Sequence, residues 1–280
     1  MRALARAKVN LWLKVVGRRA DGYHLLDSLV AFADLADELE ATPSERLSLA
    51  VDGPSSAALT GEADNLVLKA ARLLADHAGV APRAALHLTK RIPVAAGLGG
   101  GSADAAAALQ TLADLWRLAQ PVDALFDLAG RLGADVPMCL AGRTALVSGV
   151  GEKLAPAPAL PGCGLLLVNP GVALATAPVF AARRGDFSPV QPPASPWSDL
   201  ASFVEALADR GNDLTAAATS LCPAIVEVLA FLRRTDAVRY AAMTGSGATC
   251  FALYDTSAAA HRAAATVPAA WWRHSGQLVG

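Results

Sequence analysis

The sequence predicts an α+β protein whose mixed layers of helix and strand meet at a cleft. Two observations carry that prediction. Strand-like and helix-like segments alternate along the chain, and two glycine clusters, at 97–101 and 245–247, stand far apart, each after an extended segment. Length agrees with it. A chain of 280 residues makes one large domain or two smaller ones, and it needs no disulfide or metal staple to fold.

Residues 8–16 alternate, with Val9, Leu11, Leu13 and Val15 on one side and Lys8, Asn10, Trp12 and Lys14 on the other. That period predicts a half-buried strand with Lys8 and Asn10 as neighbours on its polar face. Gly17–Gly22 (GRRADG) reads as a turn, and 24–42 suits helix or strand equally. A helix over 65–78, burying Leu66, Ala70, Leu73 and Leu74, precedes a strand over 84–92. The clearest helix spans 102–118, with Ser102 as N-cap, Asp104 in the first turn and alanines after it. Another helix starts at Pro121, and 145–147 and 165–168 read as strands. The stretch 185–197 (GDFSPVQPPASPW) has four prolines and no period, so a loop is expected. Helices near 198–208 and 213–234 follow, then a strand ending at Met243. A strand over 249–254, a helix and a short last strand complete the chain.

Composition narrows the function. Hydrophobic residues make up 54% and charged ones 18%, which excludes a disordered chain, although 63 of the residues are alanine. With 24 Lys+Arg against 25 Asp+Glu, the net charge is -1, so the basic footprint of a nucleic-acid binder is missing. A small ligand is the better expectation. The longest uncharged stretch, 154–182, holds Pro156, Pro158, Pro161, Pro170 and Pro178, which argues against a membrane span. Met1–Lys14 carries four cations and no long apolar core, so no secretory signal is expected there. Cys139, Cys163, Cys222 and Cys250 form no C-x-x-C pair, and a reducing, cytoplasmic setting fits them.

The chemistry lies first in Pro93-Val94-Ala95-Ala96-Gly97-Leu98-Gly99-Gly100-Gly101-Ser102-Ala103-Asp104. A glycine run after a strand and before a helix leaves backbone N–H groups open beside a positive helix end, a cradle for phosphate. It lacks the lysine of a Walker A loop and the last glycine of G-x-G-x-x-G, where Ser102 stands, and Asp104 occupies the place of the last glycine in a G-x-S-x-G nucleophile elbow. The second cluster, Gly245-Ser246-Gly247, could be a simple turn. Two such loops in one chain are better read as opposing walls around a nucleotide triphosphate. Phosphoryl transfer to an alcohol also needs a group to orient or deprotonate the hydroxyl, and positive charge for the moving phosphoryl. Asp135, in Gly133-Ala134-Asp135-Val136-Pro137, is the candidate base, and Lys8 is a candidate cation. Tyr23 and His24 are a candidate pair for a nucleobase.

These segments resemble a family. PVAAGLGGGSADA is similar to the central loop of the GHMP kinases, and MTGSGATCFALY to their third glycine motif. AKVNL at 7–11, RADGYH at 19–24 and GADVP at 133–137 narrow the resemblance to the group acting on 4-diphosphocytidyl-2-C-methyl-D-erythritol. The resemblance covers residues 7 to about 255. It implies a two-domain α+β GHMP kinase fold, ribosomal protein S5-like over 1–155 and ferredoxin-like over 156–280, with the active site in the cleft between the domains. It implies phosphorylation of the substrate's 2-hydroxyl by ATP with Mg²⁺, in the non-mevalonate route to isoprenoid precursors.

By motif, Asp135 would be the base and Lys8 its catalytic partner. Asn10, Tyr23, His24, Thr176 and Phe180 would bind substrate, with the cytosine between Phe180 and the Tyr23–His24 pair. Pro93, Val94, Ala95, Ala96, Gly97, Leu98, Gly99, Gly100, Gly101, Ser102 and Ala103 would wrap ATP, with Asn65 and Lys90 flanking the adenosine and Mg²⁺ near Ser102. Ala95 and Ala96 replace glycines common in the family, so backbone angles that alanine tolerates are expected there. Asp104 either helps hold Mg²⁺ or caps the helix. A monomer or weak homodimer without nucleic-acid or membrane partners is expected. A homoserine- or mevalonate-type kinase and a non-catalytic nucleotide-binding module are the alternatives.

Overall fold

The computed structural model describes residues 1–58, 65–119, 121–191 and 196–279. Of the expected loop at 185–197, residues 192–195 lie outside the described residues. The chain forms two compact units that are not consecutive in sequence. One comprises Met1–Lys8, Leu35–Val94 and Gly99–Gly142; the other comprises Val9–Asp34, Ala95–Leu98 and Arg143–Gly280. A single cut at 155/156 therefore does not describe them. The reason is local: two long strands, β1 (Arg2–Arg18) and β2 (His24–Thr42), each contribute residues to both units. Residues 24–42, ambiguous by period, are thus strand.

In the first unit, the last part of β2 pairs antiparallel with β4 (Ala85–Thr89), from Glu38↔Thr89 to Thr42↔Ala85. β3 (Ser48–Asp52) runs parallel to β4. Packed with them are α1 (Leu66–Ala78), α2 (Gly100–Leu115), α3 (Val122–Leu132) and α4 (Val136–Ala141). Their core joins Leu39, Leu74, Leu86 and Leu88 to Ala105, Ala108, Leu109 and Leu112. The alanines at 105–108 are all buried, and side chains that short let α2 pack closely on α1 and α4. The expected helix start moves: the N-cap of α2 is Gly99 at φ 65°, and Ser102 stands inside the first turn.

In the second unit, β5 (Ala145–Gly149) pairs with the first part of β2 and with β6 (Lys153–Pro156). β7 (Gly164–Asn169) leads through α5 (Thr176–Ala182), α6 (Leu200–Arg210), α7 (Thr215–Leu221) and α8 (Ala224–Leu232). Strands β8 (Val238–Met243) and β9 (Cys250–Tyr254), helix α9 (Ser257–Ala264) and strand β10 (Trp272–Val279) follow. The strand order β10-β7-β9-β8 is antiparallel throughout. This βαββαβ path is the expected ferredoxin-like arrangement. The single helix expected over 213–234 is two, because Pro223 lacks an N–H and pushes Cys222 to φ −137°, ψ 84°. The half-buried strand expected at 8–16 is buried on both sides: Lys8, Asn10 and Trp12 are as enclosed as Val9 and Leu11.

Candidate active site

At the exit of the glycine loop, three features of the first unit converge. Gly99 caps α2 in a left-handed conformation, and the first bond of the helix runs from Ala103 N–H to the Gly99 carbonyl. The amides of residues 100–102 therefore have no acceptor within the helix and sit at its positive end. The stem of Lys8 crosses Gly99 so closely that a β-carbon there would lie 2.6 Å from Lys8 Cγ. Lys8 Nζ then stands 3.1 Å from Asp135 Oδ2. Lys8 is enclosed, with 8% of its side chain exposed, whereas Asp135 shows 42%, so the carboxylate is the part open to a ligand. Asp135 occupies the N-cap position of α4 without a side-chain capping bond, which leaves its oxygens unused by its own helix. The two residues singled out for catalysis are thus brought together.

The side chain of Lys90 is turned to carboxylates of the first unit. Its ammonium is buried and donates to Asp104 Oδ2 at 2.6 Å and to Asp37 Oδ2. Burial opposes the charge on Lys90, but Asp104 and Asp37 outweigh it and hold the ammonium above the usual lysine range. Burial, with Asp37 adding to it against Lys90, raises the Asp104 carboxyl. Asp104 is neither a first-turn cap nor an exposed metal ligand. Its Oδ1 is buried with no hydrogen-bond partner. Asn65 caps α1, accepting from Val67 N–H at 2.9 Å.

The middle of the loop, Ala95–Leu98, belongs to the second unit and packs directly on the other glycine cluster. A β-carbon on Gly97 would overlap the carbonyl of Gly247. Thr249 donates from its N–H and its hydroxyl (2.6 Å) to the Ala96 carbonyl. The two clusters are therefore one packed wall at these residues, not opposing walls. Ala95 sits at φ 54°, which corrects the expectation that alanine would be comfortable there. Ala96 and Leu98 are buried, so only their backbones can serve a ligand, while Pro93, Val94 and Ser102 are half-buried. Asn10 donates from its backbone to Thr244 Oγ1 (2.8 Å) and from its side chain to Ser28 Oγ (2.9 Å). Thr176 and Ser246 hydroxyls lie 3.0 Å apart, and Asn212 steadies the same turn by donating to the Met243 and Gly245 carbonyls.

His24 and Phe180 meet directly, stacked with ring centroids 5.1 Å apart and 27° between planes. A base expected between them would have to part the rings; the exposed ring of Tyr23 offers the open aromatic face. Burial, then the charges of Arg18 and Arg183, lower the His24 pKa. Asp213 accepts from Lys14 Nζ (2.5 Å), Val15 N–H (2.8 Å) and Ser188 Oγ (2.7 Å), tying down the strand that carries Asn10. Its own burial raises its pKa, but these three donors leave it lowered.

Sequence reasoning missed Asp37, Asp213 and Asn212. Asp37 was hidden in a segment without a clear period, and the other two stand in a turn whose partners are distant in sequence. Among the described residues no three His, Cys, Asp or Glu side chains cluster as metal ligands, and no helix is long and apolar enough to cross a membrane. The four cysteines are free, Cys222 and Cys250 buried, Cys139 and Cys163 partly so. With Ser102 half-buried and Asp135 half-exposed, the donor set fits a Mg²⁺ held mostly by phosphate oxygens and water, with few protein ligands.

The family model for the GHMP kinases N terminal domain matches residues 65–143, and that for the GHMP kinases C terminal matches 194–273. A protein named 4-diphosphocytidyl-2-C-methyl-D-erythritol kinase from Paramagnetospirillum magneticum is 54% identical, over 98% of this chain and 97% of its own. One of the same name from Rhodospirillum rubrum is 48% identical, over 99% and 92%. A crystal structure of 4-(cytidine 5'-diphospho)-2C-methyl-D-erythritol kinase superposes with a TM-score of 0.80 at 38% identity, covering 100% of both chains. Homoserine kinase from Cytophaga hutchinsonii, at 17% identity and a TM-score of 0.69 over 99% and 94%, shares the fold. With both glycine motifs inside the matched regions, the chain belongs to the GHMP kinase family and, within it, to the 4-diphosphocytidyl-2-C-methyl-D-erythritol kinases.

Proposed function

We propose that this chain transfers the γ-phosphoryl group of ATP to the 2-hydroxyl of 4-diphosphocytidyl-2-C-methyl-D-erythritol, giving the 2-phosphate and ADP. This is a step of non-mevalonate isoprenoid precursor biosynthesis, and a cytoplasmic setting suits it. The observation that carries the reading is the Lys8–Asp135 pair, 3.1 Å apart at the N-terminus of α2. Free amides there suit phosphate, a cation suits the charge that spreads over the moving phosphoryl, and a half-exposed carboxylate suits the hydroxyl. The relatives' names support the same substrate.

In this reaction the substrate oxygen forms a bond to Pγ while the bond from Pγ to the ADP oxygen breaks. Asp135 orients the hydroxyl and takes its proton, and passes it to solvent after transfer. Lys8 holds Asp135 and the acceptor oxygen in place and offsets negative charge. Pro93–Ala103 wrap the nucleotide, chiefly through backbone groups, and Gly245–Gly247 support them. Asn65 stays near the adenosine, and Lys90 contributes through its backbone only, because its ammonium is engaged by carboxylates. Mg²⁺, near Ser102, neutralises phosphate charge when bound with ATP. Asn10 and Thr176 position the erythritol, while Tyr23, His24 and Phe180 take the cytosine. The chain works as a monomer or weak homodimer, with no nucleic-acid or membrane partner.

The test is an ATP-consumption assay with this substrate beside homoserine and mevalonate, with ³¹P detection of the product. Turnover of the cytidylyl substrate alone, with phosphate on the 2-oxygen, is the expected result. Turnover of only one of the other alcohols, or of none, would overturn the assignment.

A further inference from the structure

The ATP loop is anchored by a buried charge network that the proposed chemistry does not use. Asp37, on β2, is fully buried. Its Oδ1 accepts the N–H groups of Arg91 (2.5 Å) and Ile92 (2.8 Å), the last two residues before the loop. Its Oδ2 accepts from Lys90 Nζ, which also donates to Asp104 Oδ2 at 2.6 Å, on the first turns of α2 just beyond the loop. The ammonium lies beneath the helix start: a β-carbon on Gly100 would be 3.4 Å from Lys90 Nζ. Lys90's main chain is fixed as well, donating to the Asp52 carbonyl (2.8 Å) and accepting from Ser55 N–H (3.1 Å). One carboxylate thus grips the loop's entrance, and through one lysine it grips the exit.

We propose that Asp37 is a positioning residue for nucleotide binding, holding both ends of the glycine loop at a fixed separation through Lys90 and Asp104. This rests on the reading that the loop binds ATP. A cradle of backbone amides binds phosphate only if its amides are pre-set, so loosening either end raises the KM for ATP before it touches the chemistry. Asp37 contacts no reacting atom, and its loss leaves kcat at saturating ATP within about threefold.

The test uses the full chain with ATP binding by equilibrium dialysis, KM for each substrate, and urea unfolding. Asp104→Leu removes the tie to α2 while the remaining Lys90–Asp37 pair stays neutral, so it should fold. It should weaken ATP binding at least fivefold, with KM for the alcohol substrate unchanged. Asp104→Asn keeps an acceptor for Lys90 and should return ATP affinity to within about twofold of the native chain. Asp37→Asn turns an acceptor into a donor facing Lys90 and should weaken ATP binding at least tenfold in the fraction that folds. If Asp104→Leu folds and binds ATP like the native chain, the network is only structural and the proposal is overturned. If the native chain binds ATP and Asp104→Asn is as weak as Asp104→Leu, the hydrogen-bonded link is also refuted. A native chain that binds no ATP would instead overturn the functional reading on which the network's role depends.

Discussion

The side chain of Lys8 lies across the α-carbon of Gly99, close enough that any β-carbon would fall 2.6 Å from Lys8 Cγ. The N-cap of α2 and the path of the Lys8 side chain therefore depend on each other. Gly99→Ala meets both that overlap and a left-handed backbone, at φ 65°. It should destabilise the chain by ~1–2 kcal/mol from the backbone alone. It should also lower kcat, because Lys8 must move away from Asp135. Thermal unfolding and steady-state kinetics check both, and a variant with native kcat would show that Lys8 can shift without consequence.

Asp135→Asn keeps the shape of the side chain and removes its ability to take a proton. We expect kcat to fall by ~10²–10⁴-fold with ATP binding retained, the range for loss of a general base. Lys8→Met should also lose turnover, with a smaller change in nucleotide affinity than in kcat. Near-native turnover in Asp135→Asn would restrict that residue to holding Lys8.

Ala95 holds φ 54°, where a β-carbon costs ~1–2 kcal/mol and glycine does not. Glycine's greater freedom in the unfolded chain returns part of this. Ala95→Gly should therefore stabilise the protein by up to ~1 kcal/mol, read as a higher urea midpoint. A lower midpoint would mean that the alanine methyl makes a compensating contact.

His24 titrates below its ordinary value of 6.5, from burial first and the charges of Arg18 and Arg183 second. The unfolded chain then binds more protons between the two values, so stability is intact above about pH 6.5 and falls as pH drops through the folded value. In the proposed function the neutral ring takes the cytosine, and on that reading KM for the alcohol substrate should stay level from pH 8 to 7 and rise in acid. His24→Gln should flatten both profiles. A KM that climbs between pH 8 and 7 would point to another group.

Much of the candidate site was legible because the chemistry proposed for it needs unusual local composition. A glycine run before an alanine-rich helix, and Asp135 before Val136-Pro137, announce themselves along the chain. Asp37 did not, because a carboxylate in an apolar strand gains its meaning from amides more than fifty residues away. The position of Lys90 beside the loop was visible, but the two carboxylates that occupy its ammonium were not.

The strands that alternate, the helices around their apolar faces and the phosphate-type loop all follow from the order of residues, since period and backbone chemistry act over a few positions. Other features were decided by folding alone. The enclosure of Lys8 on a strand that reads as half-exposed, the left-handed Ala95, the direct packing of Gly97 on Gly247 and the Asp37–Lys90–Asp104 network are of that kind. Each depends on which distant segments come into van der Waals contact, and burial strengthens or forbids a charge only once those neighbours are in place.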